Sequence, residues 1–554
     1  MKLYKILLVL LIVFSAFIRL YRLSSVPEGF HADEATFGYN AFSILKTGKD
    51  EYGKPFPLIL KSWGDYKGAV YSYLTIPSIA IFGLKEFSVR FPTAVAGILI
   101  VVVSVALTFA LTQNMALTLV TALLVSLEPS SIVLSRVQSD PLVAVFFILL
   151  GWYCVHKYVF TDKPGWATGG VVFWIISCFV YVSARVLLLG FIPLLFWYYY
   201  PRLKRTEKVV FSLIFAGFVI MTMYLLFGSS GTRYNQINVF SSQDVFLSQA
   251  EQIREDGVAK SMIITSRIYH NKLVEYGRFI VHNFASYLGF DFLFYQSDQS
   301  IRERIPYTGF LYLADLPFML IGLYQIFRKK RRWGYFILGW FLFTPLVLSI
   351  FNQETPNIHR YYFAIFPLCF ITALGIVQTA IFTRKNIRIF VIVGITVLYI
   401  ASFMYFIHEL FVHQPFHEPY YRGFAYKPMI SSLQKIQNNY DKIVITKAQQ
   451  SPYIYLLFYL KYDPIQYQLF GSPRDLDYSG FDKYIFIPYD CPNNRYWKTM
   501  AETYPDNRVL YINNGGCEIT KNTKLIQTIF WRNGVEAFQF VENVATKSAV
   551  VSIP

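Results

Sequence analysis

The sequence predicts an α-helical polytopic membrane protein with about eleven crossings, followed by a folded α/β domain after residue 410. Three observations predict it. The 554 residues are 55% hydrophobic and 19% aromatic but only 15% charged, too apolar and too poor in charge for a soluble chain of this length. Apolar runs long enough to cross the roughly 30 Å hydrocarbon layer recur as far as about residue 408. The Lys and Arg behind the net charge of +17 stand in short clusters between those runs: "RLKRTEK" at 202–208, "RKKRR" at 328–332 and "RKNIR" at 384–388. Cytoplasmic loops look like this under the positive-inside rule. A nucleic-acid partner is excluded, because the basic residues are not gathered on one soluble domain.

The first run, within "MKLYKILLVLLIVFSAFIRLYR", has a basic start but no small-x-small cleavage site. It reads as an uncleaved signal-anchor helix with its N-terminus inside. Spans follow near 5–22, 89–111, 116–135, 141–160, 166–183, 185–200, 209–227, 308–327, 333–351, 361–382 and 388–408. A further segment at 68–84 is shorter, carries Pro77, and is closely flanked by Asp65, Lys67, Lys85 and Glu86. Counting it as a crossing would send all three basic clusters outside. It therefore reads as re-entrant or surface-lying, which leaves the loops 23–88 and 228–306 and everything after about 409 on the outer side of the cytoplasmic membrane.

The polar C-terminal region reads as a small α/β domain. Strand-like runs "KIVIT" at 442–446, "KYIFIP" at 483–488 and "VLYI" at 509–512 alternate with helix-compatible segments at 451–461 and 494–502. The division expected is 1–410 for the membrane domain and 411–554 for the outer one. Cys154, Cys178 and Cys369 lie in apolar runs and read as packing residues. Cys491 and Cys517 are either a bridge closing an interval of about 26 residues or two buried thiols. No phosphate-binding Gly-rich loop appears, which disfavours an ATP-driven pump.

An enzyme facing outward has no nucleotide supply, so an activated substrate must reach it on a lipid. Such chemistry needs a carboxylate to deprotonate the acceptor, cations for the leaving phosphate and an apolar groove for the tail. A positioned general base is worth about 10²–10⁴ in rate, and cations stabilise the charge that develops on the leaving group. The stretch "PEGFHADEATFGYNAFSILKTG" puts His31, Asp33 and Glu34 at the outer end of the first span. Adjacent helical residues point about 100° apart, so Asp33 is assigned as base and Glu34 as an orienting or charge-pairing group. The plain alternative is that both only cap a helix ending near Gly48. Lys61, Lys67, Lys85 and Arg90 are the cations of the same loop, with snorkelling as the plain reading of Arg90.

Asp140, before Pro141, is either a second cavity carboxylate with Arg136 beside it or an ordinary N-cap. "FNQETPNIHRYYFAIFP" adds Glu354, His359 and Arg360. Arg360 is a phosphate or sugar-hydroxyl contact, or a snorkelling anchor. His31 and His359 match no recognised metal spacing.

"ADEATFGYNAFSILKTG", "YKGAVYSYLTIPSIAIFGLKEFSVRFPTAVAG" and "SRVQSDPLVAVFF" together resemble the successive signatures of the GT-C glycosyltransferases related to protein O-mannosyltransferases and lipid A aminoarabinose transferases. The similarity runs over roughly 1–410 and is strongest over the first 160 residues. It implies Asp33 as catalytic base, Lys67 as the donor-phosphate contact, Arg90 and Asp140 as further site residues, and juxtamembrane helices in the first outer loop. Where the aminoarabinose transferases carry a metal-contacting glutamate before the lysine, this chain has Tyr66, with Asp65 one residue earlier. That departure puts a divalent metal in doubt, and no cofactor is expected.

The expected function is transfer of a sugar, mannose-like or a modified pentose or hexose, from a polyprenyl-phosphate carrier to an acceptor hydroxyl, with inversion. The acceptor is a protein, a lipid or a wall polymer. His31, Tyr66, Glu354 and His359 are candidate substrate contacts. A transporter or lipid flippase is the alternative, and it should show internal hydropathy repeats and charges within several spans. A scaffold that only displays the C-terminal domain needs no such cluster of carboxylates and cations. That domain is expected to select the acceptor or cover the active cavity.

Overall fold

A computed structural model describes residues 2–62, 65–227, 238–241, 243–260, 262–296, 302–351, 354–417, 419–449, 451–470, 478–503, 508–519 and 523–543. Every one of the eleven apolar segments contains a helix. In chain order these are Lys2–Leu20, Glu86–Thr112, Met115–Leu127 with Pro129–Ser135, Asp140–Thr161, Pro164–Val180, Val182–Tyr199, Arg205–Phe227, Asp315–Lys329, Arg332–Leu348, Ile365–Phe382 and Arg388–His408. Among the described residues, six helices are long and apolar enough to cross a membrane by themselves, or seven if the bent pair is one span. The protein is a multi-pass membrane protein of mostly helical fold with a C-terminal sheet.

The bend of 54° in the pair falls at Glu128–Pro129. Proline lacks the N–H that would continue the ladder and disfavours the helical region for the residue before it. Glu128 accordingly sits at φ −55°, ψ 138°. The segment expected not to span is the helix Val70–Phe82, of 13 residues with Pro77 inside it. At 1.5 Å per residue it rises about 20 Å, short of the roughly 30 Å hydrocarbon thickness.

By their contacts the residues form two units: Met1–Leu23 with Tyr66–Tyr71 and Arg90–Leu410, and Ser24–Asp65 with Ser72–Val89 and Phe411–Pro554. The boundary does not follow one cut near residue 410. Most of the first outer loop packs with the C-terminal region.

The first unit holds the helices of the apolar runs. Its interior is aromatic: Trp152 lies 5.6 Å from Trp340 at 79°, and Trp340 stacks on Phe366 at 5.5 Å and 22°. Such pairs add about 0.5–1.5 kcal/mol each beyond buried area. Helices Asp315–Lys329 and Ile365–Phe382 pack backbone to backbone. A Cβ on Gly322 would meet Ile371 O at 1.9 Å, and one on Gly375 would meet Phe318 O at 1.8 Å. Small residues at a helix crossing allow this approach where no hydrophobic drive between helices exists.

The second unit carries a six-stranded sheet. Two short strands precede it in the chain, β1 (Ile59–Ser62) and β2 (Asp65–Gly68). The sheet consists of β3 (Lys442–Thr446), β4 (Gly480–Phe481), β5 (Tyr484–Ile487), β6 (Val509–Asn514), β7 (Thr523–Phe530) and β8 (Glu536–Asn543), in the order β4-β5-β3-β6-β8-β7. β3 lies parallel to β5 and β6, while β8 runs antiparallel to β6 and β7. Parallel neighbours need crossovers, and helices Pro452–Tyr459, Pro464–Phe470, Pro492–Arg495 and Trp497–Thr503 lie in those connections.

The core joins Ile443, Ile445, Tyr455, Phe458 and Phe538 to Phe30, Ala35 and Tyr39 from the first outer loop and to Val89 just after it. Of the two readings of the C-terminal cysteines the bridge is the one formed, Cys491 to Cys517. Cys154, Cys178 and Cys369 are buried free thiols.

The bridge ties the loop after β5 to the loop after β6 and closes an interval of 26 residues. Cys491→Ser should lower the stability of this unit by about 3 kcal/mol on the chain-entropy model. Faster hydrogen exchange at the amides of β6 and β8 reads this; unchanged protection would mean that the bridge does not hold the sheet.

Candidate active site

The helix Ala32–Thr47 presents the carboxylates. His31 is its N-cap: His31 Nδ1 accepts the amide N–H of Asp33 at 3.1 Å, and Glu34 Oε2 accepts the amide of His31 at 3.0 Å. Two of the four orphan donors of the helix start are met in this way. Asp33 Oδ2 also lies 3.5 Å from His31 Nδ1. At the other end Gly48 takes φ +71° and donates to Ile44 O at 2.8 Å, the left-handed close that glycine permits.

Asp33 and Glu34 occupy unlike environments, as their angular separation requires. The Asp33 side chain is 35% exposed, whereas Glu34 is 2% exposed. Glu34 Oε2 also accepts from Arg422 Nη2 at 3.3 Å, with both side chains 3% exposed. The helix start is thus capped and its charge paired inside one unit. Arg422 Nε donates to Glu28 O at 3.0 Å, and Arg422 O accepts from the Phe30 amide at 2.7 Å.

Gly29 lies between these bonds at φ +89°, where a Cβ would meet Arg422 Cβ at 2.5 Å. Tyr455 packs close by. Burial, then Tyr426 and the charges of Glu34 and Asp33, hold its phenol well above its ordinary value, with Arg422 pulling the other way. Nothing in the spacing of the sequence linked Arg422 to Glu34. The only local signal is Gly423, at φ +61°, directly after it.

The other expected site residues belong to the first unit, except Lys61, Lys85 and Asp65. Lys61 stands 5.8 Å from the Tyr52 ring, and exposed Lys85 5.7 Å from Phe82. Tyr66 and Lys67 are successive, partly buried residues of β2, so they point to opposite faces. Gly68 follows against the backbone at the end of the helix Pro164–Val180, where a Cβ would lie 2.0 Å from Phe179 O.

Arg90 is fully buried and donates to Leu23 O at 3.1 Å. Arg136 donates to Ile18 O and, at 2.6 Å, to Tyr21 O. Both arginines serve carbonyls at the C-terminal end of the first helix, where acceptors are orphaned and positive charge is favoured.

Asp140 is the first residue of Asp140–Thr161, but the N-cap is Ser139, whose Oγ accepts the Leu142 amide at 3.4 Å. Gln138 Nε2 donates to Asp140 Oδ1 at 3.4 Å. Ser139 Oγ also lies 3.2 Å from His359 Nδ1, and His359 Nε2 lies 3.3 Å from Glu303 Oε2. Glu303 and Ser139 were not anticipated from the sequence. Arg360 is 6% exposed, and its guanidinium lies 5.6 Å from the Phe351 ring. Exposed Glu354 accepts from Asn357 Nδ2 at 3.4 Å. Among the described residues no three His, Cys, Asp or Glu side chains are grouped to hold a metal ion.

The fold is that of the GT-C glycosyltransferases. Crystal structures of ArnT from Cupriavidus metallidurans, in the apo state and bound to undecaprenyl phosphate, align over 98% of this chain and 98% of theirs, with TM-scores of 0.52 and 0.53 at 12% identity. The archaeal oligosaccharyltransferase AglB from Archaeoglobus fulgidus, in complex with an inhibitory peptide and a dolichol-phosphate, aligns over 92% of this chain and 69% of its own at TM-score 0.48 and 12% identity. In sequence, residues 9–223 match the family described as dolichyl-phosphate-mannose-protein mannosyltransferase. No curated protein sequence matches the chain. The resemblance to GT-C enzymes is therefore one of fold along the chain and of sequence over its N-terminal part.

Gly29→Ala should destabilise the segment before the helix by at least about 1 kcal/mol, since it adds left-handed strain and a clash with Arg422. A lower thermal midpoint of the purified protein checks this.

Proposed function

We propose that the protein is a membrane glycosyltransferase that moves a sugar from a polyprenyl-phosphate carrier to an acceptor hydroxyl on the outer face of the cytoplasmic membrane. The observation that carries the reading is the family match over residues 9–223. That interval contains Asp33, Glu34, Lys67, Arg90 and Asp140. The undecaprenyl phosphate bound by a structure of the same fold supports the class of donor.

In this reading Asp33 is the base. Its partly exposed carboxylate, beside a buried and paired Glu34, suits removal of a proton from an acceptor. The acceptor oxygen forms a bond to the anomeric carbon as the bond from that carbon to the phosphate oxygen breaks. The proton passes to Asp33, and the electron pair leaves with the polyprenyl phosphate. One displacement inverts the centre. Lys67 and Arg360 stabilise the leaving phosphate, and Asp140, Tyr66, His31, His359 and Glu354 contact the sugar or acceptor. Arg90 braces the end of the first helix beside them in the chain. The sugar is mannose-like or a modified pentose or hexose.

Asp33→Asn should lower transfer from polyprenyl-phosphate mannose by about 10²–10⁴ while binding of undecaprenyl phosphate is kept. Lys67→Ala should raise the donor KM. Wild-type turnover in Asp33→Asn removes Asp33 as the base.

Topology gives an independent check. A cysteine replacing exposed Lys49 should react with an impermeant thiol reagent from outside, and one replacing exposed Arg331 should be protected. Labelling of both from one side would overturn the outward placement of the site.

A further inference from the structure

We infer that Arg422 is a positioning residue for Asp33, so that the catalytic carboxylate is set by a guanidinium lying far outside the matched interval 9–223. The inference rests on the reading of Asp33 as base.

The segment 28–34 is held by residues from much later in the chain. Gln414 Oε1 accepts the Glu28 amide at 3.0 Å, and Arg532 forks onto the Glu28 carboxylate with bonds of 2.7–3.1 Å. Arg422 makes the central contacts: Nε to Glu28 O, Nη2 to Glu34 Oε2, and its own carbonyl to the Phe30 amide. Gly29 leaves its Cβ room to lie against the segment.

Arg422 and Glu34 are nine-tenths buried or more, so their attraction is screened far less than a surface pair. Glu34 Oε2 takes both this guanidinium and the N-cap amide of His31, while His31 in turn takes the amide of Asp33. A shift of Glu34 therefore moves the backbone that carries Asp33. Misplacement of a reacting group by about 1 Å can cost on the order of 10²-fold in rate. Arg422 acts through Glu34.

The test uses the full-length purified protein and polyprenyl-phosphate mannose. Arg422→Lys keeps the charge but loses the Nε bond and the planar fork. It should lower kcat about tenfold with the donor KM within threefold of wild type, and Arg422→Gln should lower kcat further. The double variant Glu34→Gln with Arg422→Gln should lose no more than Arg422→Gln alone, because one chain of contacts is being broken. Wild-type kcat in Arg422→Lys, multiplying losses in the double variant, or an effect confined to KM overturns the inference.

Asp33→Asn, run alongside, separates the two readings. If it retains turnover the base assignment falls, and if it is inactive while Arg422→Lys is unimpaired only the role of Arg422 falls. A probe independent of the donor is the rate at which Asp33→Cys reacts with a soluble thiol reagent. Adding Arg422→Lys should change that rate severalfold, and an unchanged rate overturns the inference whatever sugar the enzyme uses.

Discussion

A carboxylate withdrawn from water must find a partner or give up its charge, and in this protein the demand falls on Glu34. One of its oxygens receives the amide of His31, the N-cap of the helix Ala32–Thr47, and the guanidinium of Arg422 together. Removing one member of a buried pair costs about 3–5 kcal/mol, although replacing both by apolar groups often costs nothing. The pair is therefore better explained by the geometry it imposes than by net stability. It lets two neighbouring acidic residues differ, one sealed and paired, the other left partly open to solvent.

Charge is handled by the same rule in the membrane unit. Arg19 donates to Ser15 Oγ at 2.6 Å and to Ser126 O at 3.1 Å, while Arg90 and Arg136 reach carbonyls near the end of the first helix. Most of these donors go to backbone carbonyls at or just past helix ends, where helix geometry leaves acceptors unfilled. Between helices, where burial gives little drive, glycine contacts and stacked aromatics fix the packing.

Features governed by neighbours in sequence were legible before the structure. The eleven apolar segments, the short segment at 68–84, the strands β3, β5 and β6 and the unlike exposure of Asp33 and Glu34 all follow from hydropathy, length or angular spacing. Features made by distant partners were not. No periodicity relates Glu28 to Arg532 or Glu34 to Arg422, so the packing of the first outer loop with the C-terminal sheet had no local signature. The cap of the helix Asp140–Thr161 illustrates the limit at close range. Ser139 and Asp140 are both good capping residues, and only the hydrogen bond to Leu142 distinguishes them. His359 reads from the sequence as a candidate substrate contact beside Glu354 and Arg360; its link to Ser139 and Glu303 joins three stretches of chain that no motif spacing connects.

The discontinuous make-up of the second unit has a consequence for the history of each molecule. Residues 24–65 leave the ribosome well before the strands and arginines they pack with, which lie beyond residue 411. At about 5–20 residues per second, some 20–70 seconds of synthesis separate the two. During that interval Phe30, Ala35 and Tyr39 have no core to enter, and Glu34 has no Arg422. The first outer loop must wait in an unfinished state, and the assembled helix start that carries Asp33 comes into being only as the residues beyond 411 are made. A molecule cut short by failed translation would therefore carry the whole matched segment and still lack the frame around its carboxylate.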